Sequence, residues 1–144
     1  MLVSKHALDT GRDVAIYSLP MLLAKIRGTF RDDSEGTYVE LLDKLASIDL
    51  LHIDDLGAAN SSSWVLEALY AIINARYEEQ RSVIVTHSPT KRRVIGKDGN
   101  EREEVVELAE QIGARTVSRL EEMCEVLPLY GADQRQQTYG LRPV

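Results

Sequence analysis

Apolar positions along this chain follow two spacings. Continuous runs of strand length occur at Asp13-Val14-Ala15-Ile16-Tyr17-Ser18, Leu50-Leu51-His52-Ile53 and Ser82-Val83-Ile84-Val85-Thr86, and a run that is apolar on both faces is how a buried parallel strand reads. Between the runs, apolar residues recur every three or four positions. Pro20 suits the first turn of a helix reaching about Phe30, and Leu41, Leu42 and Leu45 form one face of a second helix ending near Ser47. Val65, Leu69, Ile72 and Ile73 form the stripe of a long third helix, for which Ser61-Ser62-Ser63 offer N-caps. Thr37-Tyr38-Val39-Glu40 has the spacing of a capping box for the second helix. From residue 89 to about 102 the chain turns polar, with Lys91, Arg92, Arg93 and Lys97 before the turn pair Asp98-Gly99, which predicts a protruding loop or small hairpin inserted in the domain. A helix is expected from about Glu103 to Ile112, closed by Gly113, and another through Arg115, Arg119 and Leu120. Val126-Leu127-Pro128-Leu129 reads as a last short strand, where Pro128 argues for a strand end or an edge because it cannot donate to a ladder. Strands alternating with helices predict one α/β domain over residues 1–144, a three-layer sandwich with a mainly parallel sheet.

A strand covered on both faces shows polar atoms only at its tip, and two tips here carry them. The run from Leu50 ends in Asp54-Asp55 before Leu56-Gly57, and the run from Ser82 ends in Thr86-His87-Ser88. Adjacent carboxylates at the carboxyl end of a parallel strand suit a nucleotide site; the plainer alternative is that two acids end a strand and cap the next turn. His87 reads first as a loop imidazole, with a catalytic role as the alternative. Trp64 reads as a staple onto the core, with base stacking as the alternative.

Composition narrows the classes. With 144 residues, 44% hydrophobic and 28% charged, the chain is ordinary for one globular domain with its own core. A net charge of -6 disfavours indiscriminate binding to nucleic acid, because that affinity comes from Lys and Arg releasing phosphate counterions. No apolar stretch approaches the roughly 18 residues of a membrane span, and the opening Met1-Leu2-Val3-Ser4-Lys5-His6 lacks a secretory pattern, which predicts a cytoplasmic protein. The single cysteine, Cys124, excludes an internal disulfide and reads as a core residue.

Taken in order, Leu50 to Gly57, the long helix ending Tyr70-Ala71-Ile72-Ile73-Asn74-Ala75-Arg76-Tyr77-Glu78, Val83 to Thr86, and Ile112-Gly113-Ala114-Arg115-Thr116-Val117-Ser118-Arg119-Leu120 resemble the AAA+ core of the DnaC/DnaI-type helicase loaders and the IstB-like ATPases of insertion elements. Asp9 to Tyr17 is similar to that family's passage from the helix after the phosphate loop into the next strand. The resemblance implies ATP and Mg²⁺ as cofactors. It makes Asp54 the Mg²⁺-side Walker B acid and Asp55 the group that polarises the attacking water. It puts Ser88 at the sensor 1 position, where the family usually has Asn after Thr and Ser, and a hydroxyl has shorter reach and one donor rather than two. Arg119 matches the arginine finger that acts on a neighbouring subunit's nucleotide, Arg115 is its companion one turn earlier, and Arg135 corresponds loosely to the sensor 2 arginine. For an arbitrary helix, arginines four apart are a solvated face, so these roles come from the resemblance alone. The partners implied are a replicative helicase or a transposase, single-stranded or duplex DNA, and further copies of the chain in a homo-oligomer through the Arg119 face, with no membrane.

One family feature is missing from the sequence. No Gly-x-x-x-x-Gly-Lys-[Ser/Thr] occurs, so no phosphate loop of backbone amides and lysine can be assigned. The resemblance therefore implies an AAA+ core lacking its first strand and P-loop, starting inside the helix after that loop. A natural protein longer at its N-terminus, a degenerate remnant and a misassigned start all accommodate this. The absent strand would lie between Ser82 to Thr86 and Val126 to Leu129, leaving the sheet open there. Two function classes follow: an ATPase coupling hydrolysis to helicase loading or to transposase targeting, and an interaction module that keeps the fold without binding ATP. A receiver-like or flavodoxin-like domain also uses acids at strand tips, but Lys91 is too deep in its loop for a receiver's lysine.

Overall fold

The computed structural model describes residues 2–29, 35–57 and 62–131. Helix α1 (Leu2–Asp9) leads into β1 (Val14–Ser18), α2 (Leu19–Thr29), α3 (Glu35–Ser47), β2 (Leu50–Asp54), α4 (Ser63–Glu78) and β3 (Ser82–Val85). A hairpin of β4 (Thr90–Ile95) and β5 (Glu101–Val106) follows, then α5 (Leu108–Ile112) and α6 (Ala114–Met123). The main sheet is parallel in the order β1-β2-β3, with Tyr17 beside Ile53 and Ile53 beside Val85.

Alternation along β2 divides the molecule into layers. Leu51 and Ile53 are fully buried on one face, where they join Leu19, Leu22 and Ile26 of α2, Leu41 and Leu45 of α3, Leu69, Ile72 and Ile73 of α4, Ile112 of α5 and Leu120 of α6 in one core. His52 points to the other face, where its Nδ1 and the Oγ of Ser4 on α1 form a buried hydrogen-bonded pair 2.9 Å long. The predicted stripe of α4 is buried as expected, and Arg76 continues it one turn further, also fully buried.

Arg76 ties elements together that no strand ladder joins. One terminal nitrogen donates to the carbonyls of Leu45 at 2.7 Å, Ala46 at 3.2 Å and Ile48 at 2.9 Å. The other donates to Asp49 at 3.2 Å and to Ser82. The guanidinium thus fixes the turn from α3 into β2 and the start of β3. Burial pushes its pKa down from the ordinary arginine value, and nearby Arg81 adds to the effect.

Three expectations need correction. Helix α3 is already formed at Glu35, so the Thr37–Glu40 spacing lies inside its first turns and is not its cap. The helix expected from Glu103 is strand up to Val106, and α5 keeps only Leu108–Ile112. Cross-strand pairing decides this: β4 and β5 are antiparallel, Lys91 reaches Glu103 at 2.9 Å, and Arg92 reaches both Glu104 at 2.9 Å and Glu110 at 2.7 Å. Two opposite-charge pairs across the ladder, together with its backbone hydrogen bonds, outweigh the modest helix preference of a Glu-rich stretch. Among the described residues Val126 to Leu129 pairs with no strand, and Leu127 and Leu129 are 74% and 95% exposed. Extended backbone becomes a strand only where a neighbour meets its amides and carbonyls.

Among the described residues β3 is therefore a sheet edge. The Thr86 amide donates to Ile53 at 3.1 Å, so by alternation the Val83 and Val85 amides and carbonyls point away from β2. A groove of about 960 Å³ lies along that edge, walled by Val83, Val85, Met123, Cys124, Leu127 and Leu129. Val83 and Val85 amides are expected to exchange with solvent well ahead of those of Leu51 to Ile53, which have neighbours on both sides. Equally slow exchange of both sets in a soluble monomer would mean that another segment covers the edge.

Candidate functional site

Parallel register brings the two polar strand tips together. Asp54 ends β2, and its Oδ1 accepts a 2.6 Å hydrogen bond from Oγ1 of Thr86, the residue following β3. The same Oγ1 accepts the Asp55 amide at 2.9 Å. One residue on, the Leu56 amide donates to the Thr86 carbonyl at 2.8 Å. Thr86 thus sets the Asp54 carboxylate and holds the backbone of Asp55, whose φ of +57° is left-handed. Asp is among the few non-glycine residues that accept this conformation at low cost. Both acids remain exposed to solvent.

Around this tip, Ser88 is exposed and His87 half-buried. His87 faces inward, against Gly57 and Gln111 of α5, rather than toward solvent. The arrangement suits a hydrated Mg²⁺, which keeps several waters and takes one or two carboxylates plus phosphate oxygens. Among the described residues no three His, Cys, Asp or Glu side chains converge on one point. Asp54 is the residue that would hold such an ion, with phosphate and water supplying the other oxygens and Asp55 beside it free to face an attacking water.

The arginines stand elsewhere. Helix α6 runs beside α4 in the same sense, since Gly113 at its start faces Leu66, Arg115 stacks 4.5 Å above the Tyr70 ring, and Arg119 stacks 4.3 Å above the Tyr77 ring. Arg119 also donates to Asn74 at 3.1 Å and lies 3.6 Å from Glu122, which the Tyr77 hydroxyl reaches at 2.6 Å. Those partners occupy the end of α4 that leads into the start of β3, opposite the strand tips bearing Asp54 and Asp55. Arg119 and the acids of one chain are not brought together. Arg135 lies outside the described residues. Trp64 is half-buried against the core, with the Arg27 guanidinium 4.6 Å from its ring, in keeping with a staple. Cys124 also packs against the core, and burial raises its thiol pKa.

Sequence reading missed Thr86 as a positioning residue, Arg76 as a clamp, and Gln111. Only Arg76 had a local signal, its place on the apolar stripe of α4. The buried His52 was missed too. Burial lowers its pKa, so as pH falls below about 6.5 the unfolded chain takes up a proton that the folded chain resists, and stability declines until the folded-state pKa is passed. Denaturation midpoints measured between pH 7.5 and 5 are expected to show that decline, and His52→Leu to flatten it. An unchanged profile in that variant would place the titration elsewhere.

Comparison with known proteins fits this geometry. No protein-family model matches the sequence. Among solved structures, the crystal structure of the DnaC helicase loader aligns with a TM-score of 0.62 at 24% identity, over 83% of this chain and 62% of that one. A DNA replication initiation factor aligns with a TM-score of 0.56 at 19% identity, over 82% of this chain and 31% of that one. The replication initiator DnaA, solved with AMPPCP and single-stranded DNA, aligns with a TM-score of 0.53 at 20% identity, over 59% of this chain and 26% of that one. These structural neighbours are AAA+ P-loop ATPase domains, and the likeness is one of fold. In sequence, the replicative helicase loader DnaC of Buchnera aphidicola subsp. Schizaphis graminum is 32% identical over 80 residues, which is 56% of this chain and 32% of that protein. DnaC from the Acyrthosiphon pisum subspecies is 31% identical over the same extent. The match thus spans about a third of these relatives' length. In fold, and in sequence over these 80 residues, the chain is similar to DnaC.

Proposed function

We propose that this chain works in DNA replication as a helicase-loader-type AAA+ protein, with the transposition-helper use of the same core as the less favoured reading. The observation carrying this is the acid tip laced by Thr86 in a chain whose sequence relatives are helicase loaders. In this reading Asp54 lies on the Mg²⁺ side, Asp55 polarises water, Ser88 stands at the sensor position, and Arg119 with Arg115 serves the nucleotide of an adjacent copy. Arg135 would contact the nucleotide of its own chain. Its partners would be a replicative helicase and DNA.

A second reading has one specific observation in its favour: the sequence holds no Gly-x-x-x-x-Gly-Lys-[Ser/Thr]. Phosphate-loop amides supply most contacts to the β- and γ-phosphates, and two carboxylates without them repel a nucleotide. This chain alone is therefore expected to bind Mg-ATP weakly or not at all, and a titration with a fluorescent ATP analogue checks this. Micromolar affinity would show that other residues hold the phosphates. Binding to the host's replicative helicase, measured with and without ATP, then separates the readings. ATP-independent capture supports an interaction module, ATP-dependent capture supports a loader, and capture of a transposase in place of the helicase reassigns the chain to transposition.

A further inference from the structure

The loop after the acid pair presses on α5 at one point. A methyl group added to Gly57 would stand 2.6 Å from Oε1 of Gln111 and 3.0 Å from Nδ1 of His87, so both side chains close over the Gly57 Cα and leave no room for a side chain there. Both side-chain atoms are enclosed and take no hydrogen bond from the described residues. A buried polar atom without a partner is costly, and the cost is relieved by a movement that brings one within reach. The contact is a close one between the acid tip and α5. Close packing passes a displacement from one element to the next, because interiors have few voids to absorb it.

What α5 does next is set by Gly113. Its amide donates to the Ala109 carbonyl of α5 at 3.0 Å, and its carbonyl accepts the Val117 amide of α6 at 3.2 Å. A single residue with a φ of +87° therefore belongs to the last turn of one helix and the first turn of the next. Ile112 anchors α5 in the core, and Arg92 of the hairpin holds Glu110 at 2.7 Å. Gly113 thus ties the helix carrying Gln111 to the first turn of α6, where Arg115 stands one turn before Arg119.

We propose that Gly57, His87 and Gln111 form the mechanical link through which movement of the Asp54–Asp55 tip reaches the helix carrying Arg115 and Arg119. Its use in coupling an acid site to a subunit face rests on the function proposed above; the link itself does not. It requires two ends that respond to one element, and a double-substitution cycle in this chain measures that directly. Gly57→Ala is expected to shift the backbone amide resonances of Leu56, Thr86 and the α6 residues from Ala114 to Arg119. In a Gln111→Ala background the same substitution is expected to shift Leu56 and Thr86 while leaving Ala114 to Arg119 in place. Equal α6 shifts in both backgrounds, or none in either, would overturn the link. If Gly57→Ala does not fold, Gln111→Ala alone decides: it must shift both the Gly57 amide and the α6 amides, and changes confined to α5 would refute the proposal. No nucleotide enters the experiment, so its failure leaves the ATPase reading standing, and absence of ATP binding leaves the link standing.

Discussion

Arg76→Ala is expected to cost about 4 kcal/mol, the scale seen when one partner of a buried charged network is removed. The five carbonyls from Leu45, Ala46, Ile48, Asp49 and Ser82 would lose their donor at once. Against a domain stability of about 5–15 kcal/mol, that loss leaves a marginal or unfolded protein. Arg76→Lys recovers only part, because an ammonium has three donors and no planar fork. Arg76→Met removes the desolvation cost of the charge but still strands the carbonyls, so it too is expected to fall well below wild type in urea denaturation. A methionine variant as stable as the parent would show that the carbonyl cage contributes nothing net.

Joined to a phosphate-binding loop, a protein carrying Arg119→Ala is expected to keep ATP affinity and lose hydrolysis by about a thousandfold or more, because a finger meets charge that develops in the transition state. Placement of Arg119 against Asn74 and Tyr77, at the far end of α4 from Asp54 and Asp55, is the reason to expect action across an interface. The surrounding contacts hold the guanidinium in a fixed direction rather than leaving it to swing. Mixing Arg119→Ala with Asp55→Asn subunits is then expected to restore some turnover, each supplying what the other lacks. Absence of rescue at every mixing ratio would mean that Arg119 works within its own subunit or has no part in the reaction.

Much of the sheet was legible in the sequence. Leu50 to Ile53 is buried on both faces as its apolar run predicts, whereas Val83 to Val85, on a strand that is a sheet edge among the described residues, is only half-buried. The stripe Val65, Leu69, Ile72, Ile73 named the buried side of α4 for the same local reason. The stretch from Glu101 to Val106 misled because its Glu-rich composition suits a helix in isolation, whereas Lys91 and Arg92, ten or more residues away, pair it as a strand. Of the candidate site, the acids were legible and their support was not. Nothing near Asp54 in the chain points to Thr86, which lies 32 residues on and meets it only through the register of β2 with β3.

The sequence by itself determined the three runs that form the main sheet, the stripe that α4 buries, and that two carboxylates emerge at a strand tip. These depend on the period of neighbouring side chains, a property each segment carries alone. Tertiary structure decided that Arg76 clamps five carbonyls, that Thr86 sets Asp54, that the hairpin overrides a helix, and that Arg119 stands away from the acids of its own chain. Each of these joins groups far apart in sequence, and their hydrogen bonds are worth making only after the core has brought the backbone together.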